Sequence, residues 1–161
     1  MGKCLTPGFH VQGTGKDMTL ILAHRPRVDS ALWPLTSTTI LGAWSSAVPR
    51  ARAWVAGVLC EFGMSRLIGS AKLVAGELVT NAVKASWIHH HATVTVWLWA
   101  NGTDLLIEVW DGSPQPPAPV AEPHGEGGRG LAIVAALSES WGYYPDCHGG
   151  KVVWAYLVST R

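Results

Sequence analysis

The chain is short of charge. Only 14% of its 161 residues are Asp, Glu, Lys or Arg, and the formal net charge is +1. An average soluble protein carries about 25% charged residues. No basic stripe is available for DNA, RNA or an anionic membrane surface, so those partners are excluded. Cysteine is scarce too. Cys4, Cys60 and Cys147 are odd in number and far apart, with no C-x-x-C spacing. That excludes a disulfide framework and a zinc site, and points to a reducing cytoplasm. Long apolar runs are missing. The longest uncharged run, Ser30 to Pro49, holds two prolines, a glycine and seven Ser or Thr, which is too polar for a membrane span. The opening MGKCLTPGF lacks the continuous apolar segment of a secretory signal. Its first six residues fit the M-G-x-x-x-[ST] acylation pattern, which is short enough to recur by chance.

Apolar residues, by contrast, make up 48% of the chain, and nine Trp stand against three Tyr and two Phe. This much apolar surface must bury itself, and the length gives one core. Residues 1–34 mix Gly, Pro, Thr and basic residues without a period and read as a poorly defined N-terminal extension, with a short strand at Met18–Leu22. Residues 35–161 read as the domain.

Within the domain, Thr38–Ala43 is expected to be a strand. Val48–Phe62 has apolar residues at spacings of three and four, with Pro49 in its first turn and Gly63 to end it, and is expected to be a helix. Ser65 is placed to cap a second helix, whose 3.6-residue apolar period runs to about Ser86. Thr93–Trp99 and Leu105–Trp110 alternate around Asn101-Gly102, the signature of a hairpin. Ser113–Gly130 holds five prolines and four glycines and is a long loop. Leu131–Leu137 reads as a helix, and Ser140–Tyr144 and Lys151–Val158 as strands. Hairpins on both sides of a helix give an α+β two-layer sandwich, its sheet mixed but mostly antiparallel, with helices on one face.

Three features carry chemistry. Glu77, Asn81 and Lys84 form one polar stripe beside the apolar face of the second helix. Taken alone, that stripe also fits an ordinary helix surface. Asp111 shares a strand face with Leu105, Ile107 and Val109. It either points inward, where a carboxylate needs a donor, or makes a strand-end turn with Ser113. Finally, Gly125, Gly127, Gly128 and Gly130 lead straight into Leu131. Glycines let backbone approach phosphates, and a helix start offers free N–H groups. No G-K-[ST] follows and no parallel βαβ unit frames the cluster, so it is neither a P-loop nor a dinucleotide fingerprint.

In order, ELVTNAVKAS (77–86), VWDGSPQPP (109–117) and GEGGRGLAIV (125–134) resemble the three sequence boxes of the GHKL (Bergerat-fold) superfamily of ATP-binding proteins. Within it, they are similar to the small anti-sigma-factor serine/threonine kinases and their actinobacterial relatives. The resemblance covers about residues 36–158 and implies the histidine kinase/Hsp90-like ATPase fold. It implies ATP and Mg²⁺ as cofactors, with Glu77 as general base and Asn81 as the Mg²⁺ ligand. Asp111 would accept the adenine amine. Gly125, Gly127, Gly128 and Gly130 would lie on the phosphates, with Arg129, Lys84 and Ser113 also in the nucleotide site and Ser113–Glu126 as a lid. It further implies phosphorylation of a Ser or Thr on an anti-sigma-factor antagonist, and sequestration of a sigma factor. The alternative is a non-catalytic ATP-binding module that controls partners by conformation. The chain departs from the pattern at Ser113 (usually Gly), at Ala85-Ser86 (often Gly or His), and at Val152, where Thr often follows the Gly-Lys pair. His89, His90 and His91 read as a solvated turn.

Alternation also puts Trp97, Trp99, Trp110, Trp154 and Tyr156 on the sheet face away from the helices. A patch of that size implies a homodimer through this face, or docking of the N-terminal segment upon it.

Overall fold

In the computed structural model, which describes residues 12–14, 17–19, 28–88, 91–117 and 129–159, the two periodicities become two packed layers. The short strands β1 (Gln12–Thr14) and β2 (Asp17–Thr19) pair with each other as an antiparallel ribbon. The main sheet is built from β3 (Leu35–Gly42), β4 (Thr93–Ala100), β5 (Asp104–Asp111), β6 (Ser140–Pro145) and β7 (Lys151–Val158). Its spatial order is β3-β4-β5-β7-β6 and every neighbouring pair is antiparallel. Helices α1 (Ala47–Glu61), α2 (Ile68–Ile88) and α3 (Arg129–Leu137) form the second layer. This is the α+β sandwich that the sequence implies.

The elements form for local reasons. Ala51, Val55, Val58 and Leu59 make one buried stripe on α1. Pro49 sits in its first turn, where no N–H is needed. Past its end Gly63 adopts φ +70°, and the Met64 N–H closes on the Leu59 carbonyl at 2.8 Å. Helix α2 starts differently from expectation. Ser65–Leu67 form a 3₁₀ turn ahead of it, and neither Ser65 nor Met64 makes a side-chain cap. The helix also runs two residues beyond Ser86 to Ile88, and β3 begins three residues before Thr38, at Leu35. In the β4–β5 turn the Asn101 Oδ1 accepts from the N–H groups of Thr103 (3.0 Å) and Asp104 (2.7 Å), and Gly102 takes φ +95°.

The core lies between the layers. Val94, Val96 and Leu98 of β4, Leu105, Ile107 and Val109 of β5, and Val153, Ala155 and Leu157 of β7 meet Val55, Leu59, Val74, Leu78 and Val79. The inward register is the one read from alternation.

The outer sheet face is not bare. Residues 28–34 cross it, and Trp33 packs with Leu106 and Trp154 in a second apolar cluster flanked by Val28, Trp99, Tyr144 and Tyr156. Trp33 meets Tyr156 edge-on, with centroids 6.1 Å apart, and Trp154 is fully buried. Glu108 is buried on the same face, accepting from Trp99 Nε1 (2.7 Å) and Tyr144 Oη (3.0 Å). The N-terminal segment thus covers the middle of the patch on which a homodimer was expected. Of the strand expected at Met18–Leu22, β2 holds Met18 and Thr19, and Leu20–Leu22 lie outside the described residues.

Candidate functional site

Asp111 ends β5 on the helix side, and Lys151 stands directly across from it at the start of β7. Both are buried, and the Lys151 ammonium donates to Asp111 Oδ1 at 2.8 Å. The same oxygen accepts the Ser113 N–H at 2.9 Å, and the ammonium also reaches the Ser113 carbonyl at 3.4 Å. A buried carboxylate needs such donors, and an ion pair out of water persists only when further hydrogen bonds support it. Asp111 therefore does both things the sequence left open. It points into the interior, and it closes a turn with Ser113.

This pair forms the floor of a cavity of about 240 Å³. Asn81, Lys84, Leu78, Ala85 and Ile88 of α2 make one wall, Leu131 of α3 and Val153 of β7 contribute apolar surface, and Gln115, Pro116 and Pro117 close a side. Asn81, Lys84, Asp111 and Ser113, singled out separately in the sequence, are thus brought to one cavity. Its character is an apolar slot with a charged floor and an amide and an ammonium on one rim. That suits a flat heteroaromatic base carrying a polar edge, with anionic groups at the mouth. The hard amide oxygen of Asn81 suits Mg²⁺.

Turn chemistry holds the floor in place. Gly150, at φ +77°, packs on the backbone of Asp111 and Gly112; any Cβ there would run into the Asp111 carbonyl. Only glycine meets both demands. Above Gly112 lies the His91 ring, edge-on to Trp110 with centroids 5.9 Å apart. His91 is exposed, as expected of a solvated turn, with its ring resting against the strand end; His89 and His90 lie outside the described residues.

Glu77 does not line the cavity. One turn before Asn81 on α2, it lies against the first turn of α3, where a Cβ on Gly130 would stand 2.8 Å from Glu77 Oε2. Its other oxygen is 3.8 Å from Arg52 Nη2. Arg52 belongs to α1 and lies over Gly76, whose lack of a side chain makes the room. Arg52 Nε is buried without a hydrogen-bond partner among the described residues. Arg129 is exposed at the head of α3. Gly125, Gly127 and Gly128, and the part of the expected lid beyond Pro117, lie outside the described residues.

Two residues read differently once the strands are placed. Val152, which replaces the family's hydroxyl, pairs with Trp110 and Tyr144 in the sheet, and strand alternation turns it to the outer face with Trp154. The pocket-side neighbours are Lys151 and Val153. In the sequence Lys151 stands out only as half of a Gly-Lys pair. A Lys opening the last strand and an Asp ending an earlier one was the available signal, since antiparallel pairing sets them opposite each other.

A sequence model of the histidine kinase-like ATPase domain matches residues 43–157. The chain belongs to that family. Its fold is similar to a solved structure of the RsbU and RsbW domains of Rv1364c from Mycobacterium tuberculosis, at 21% identity and a TM-score of 0.59, over 78% of this chain and 33% of that one. The chain thus spans about a third of that protein's length. No curated protein matches it. Among the described residues no helix is long and apolar enough to cross a membrane.

Proposed function

We propose that the chain binds Mg-ATP in the cavity over Asp111 and phosphorylates a Ser or Thr of a protein partner of the anti-sigma-factor-antagonist type, with sequestration of a sigma factor as a second role. The observation that carries this reading is the buried Asp111 on the floor of an apolar slot whose rim holds Asn81 and Lys84. Family membership supports it, because the domain is an ATPase domain. Bound Mg-ATP supplies the γ-phosphoryl group. Asp111 accepts the exocyclic amine of the base. Asn81 offers its amide oxygen to the metal, and Lys84 its charge to the phosphates. Arg129 and Gly130 offer the start of α3 to the same anions, and the phosphate role of Gly125, Gly127 and Gly128 rests on the family resemblance alone. Glu77 takes the proton of the partner's hydroxyl, so catalysis rests on positioning and charge stabilisation. The scarcity of cysteine and the lack of C-x-x-C spacing fit a cytoplasmic protein.

One observation favours the second reading, an ATP-binding module that acts by conformation. Glu77 faces Arg52 and Gly130, outside the cavity. A single experiment separates the two. Incubation with radiolabelled ATP, Mg²⁺ and an antagonist-like protein should label the partner, and Glu77→Gln should bind ATP and label nothing. Thermal protection by Mg-ATP without transfer supports the module. No protection by any nucleotide rejects both.

A further inference from the structure

Lys151 is a buried cation that donates, among the described residues, to Asp111 and to the Ser113 carbonyl. Burying a lysine on the floor of an apolar slot is costly unless it is paired, and a neutral residue would avoid that cost. Its position suggests what it does there. Two donors, the Ser113 N–H and the Lys151 ammonium, converge on one oxygen of Asp111. Together they occupy both lone pairs of Oδ1 and fix the plane of the carboxylate. The ammonium also favours the ionised form, and an ionised carboxylate only accepts hydrogen bonds.

We propose that Lys151 is a positioning residue that holds Asp111 as an obligate acceptor, and so makes the cavity select purine nucleotides that bear a 6-amino group over those with a 6-oxo group. The inference rests on the reading of the cavity as the nucleotide site. A 6-amino purine donates where Asp111 accepts. A 6-oxo purine sets an oxygen against a carboxylate, two acceptors with no proton between them. Without the ammonium, the buried carboxyl takes up a proton and becomes able to donate. The 6-oxo base is then tolerated. Arginine at 151 keeps the charge but not the compact shape, so it retains part of the selectivity.

The test is calorimetric titration of the full chain with ATP and with inosine triphosphate, in Mg²⁺. Wild type should prefer ATP. Lys151→Met should reduce the ATP-over-inosine preference by about tenfold or more, the worth of one mismatched buried hydrogen bond. Lys151→Arg should retain part of it, more than Lys151→Met does. A general loss of packing would weaken both nucleotides together and leave their ratio unchanged; that outcome overturns the proposal. Lys151→Met leaves a buried carboxylate without its cation and so risks not folding. In that case both charges are removed together, as Asp111→Asn with Lys151→Met. If Lys151 acts through Asp111, the double variant has the preference of Asp111→Asn alone. A further change in the double variant overturns the proposal. Wild type that binds neither nucleotide overturns the nucleotide site itself, whereas ATP binding with an unmoved ratio overturns only the role of Lys151.

Discussion

The Glu77 carboxylate rests against the bare Cα of Gly130, so that a single methyl group there would stand 2.8 Å from Oε2. This contact joins the stripe on α2 to the head of α3. It predicts opposite signs for stability and for turnover. Gly130→Ala removes a glycine from the first turn of a helix, which gains up to about 1 kcal/mol in propensity. The far end of Glu77 can swing aside at little cost, although it is then displaced from both α3 and Arg52. The expected outcome is a variant as stable as wild type or more so in urea unfolding, with phosphoryl transfer to the partner reduced by more than any accompanying loss of ATP affinity. Transfer at the wild-type rate would show that Glu77 needs no fixed position there.

Gly150 and Gly102 both have positive φ, at +77° and +95°, yet they differ in what a side chain would meet. At Gly102 nothing lies within 4 Å, whereas at Gly150 the Asp111 carbonyl and the Gly112 Cα stand in the way. Gly102→Ala should therefore cost only the backbone term, about 1–2 kcal/mol. Gly150→Ala adds a clash that must push the end of β5 away from β7, breaking the Asp111–Lys151 pair. Its expected cost exceeds that of Gly102→Ala by about 2 kcal/mol or more, with ATP affinity falling in parallel. Chemical denaturation of the two variants side by side, with calorimetry, checks this. Equal costs would mean that the floor of the cavity can shift freely.

Much of this architecture was legible in the sequence because it is local. The period of α1 and α2, the Asn101-Gly102 hairpin and the inward set Leu105, Ile107, Val109 and Asp111 each follow from spacing within a few residues. What escaped is non-local. Lys151 and Asp111 are 40 residues apart and meet only through the β5–β7 register. Arg52 reaches Glu77 from another helix because Gly76 leaves room, a fact that no pattern on either helix contains. Ser65 shows the converse: a good capping residue is overridden when the chain enters the helix through a 3₁₀ turn.

Tyr156 gives a pH dependence whose sign can be worked out. Burial first, then the hydrogen bond to Asp104 and the charges of Asp104 and Glu139, push its hydroxyl from 10.0 up to about 12. The proton it holds is donated to Asp104 Oδ2 at 2.8 Å. Below about pH 10 both folded and unfolded chains keep that proton and the contribution is complete. Between about 10 and 12 the unfolded chain releases it first, so the unfolded state binds fewer protons and stability falls as pH rises. Urea midpoints measured from pH 8 to 12 should fall in that window, and Tyr156→Phe should flatten the fall. An unchanged slope in Tyr156→Phe would place the titration elsewhere.

Trp33 makes the last prediction, because it decides what the tryptophan-rich sheet face is for. Its ring is buried to 5% exposure over Leu106 and Trp154, neither of which has any exposure of its own. Removing it opens a cavity on the outer face and uncovers large apolar surface beneath. Trp33→Ala should cost about 3–5 kcal/mol in urea unfolding, as large aromatic truncations in packed sites do. The newly exposed Trp154 and Tyr156 should then seek another cover. Sedimentation of wild type, Trp33→Ala and a chain starting at Leu35 should show association rising in the two that lack the indole. If all three sediment as dimers and Trp33→Ala unfolds at the wild-type midpoint, the N-terminal segment contributes no cover and the expected homodimer through this face regains its place. If association rises only where Trp33 is missing, residues 28–34 are what keeps copies of the chain apart.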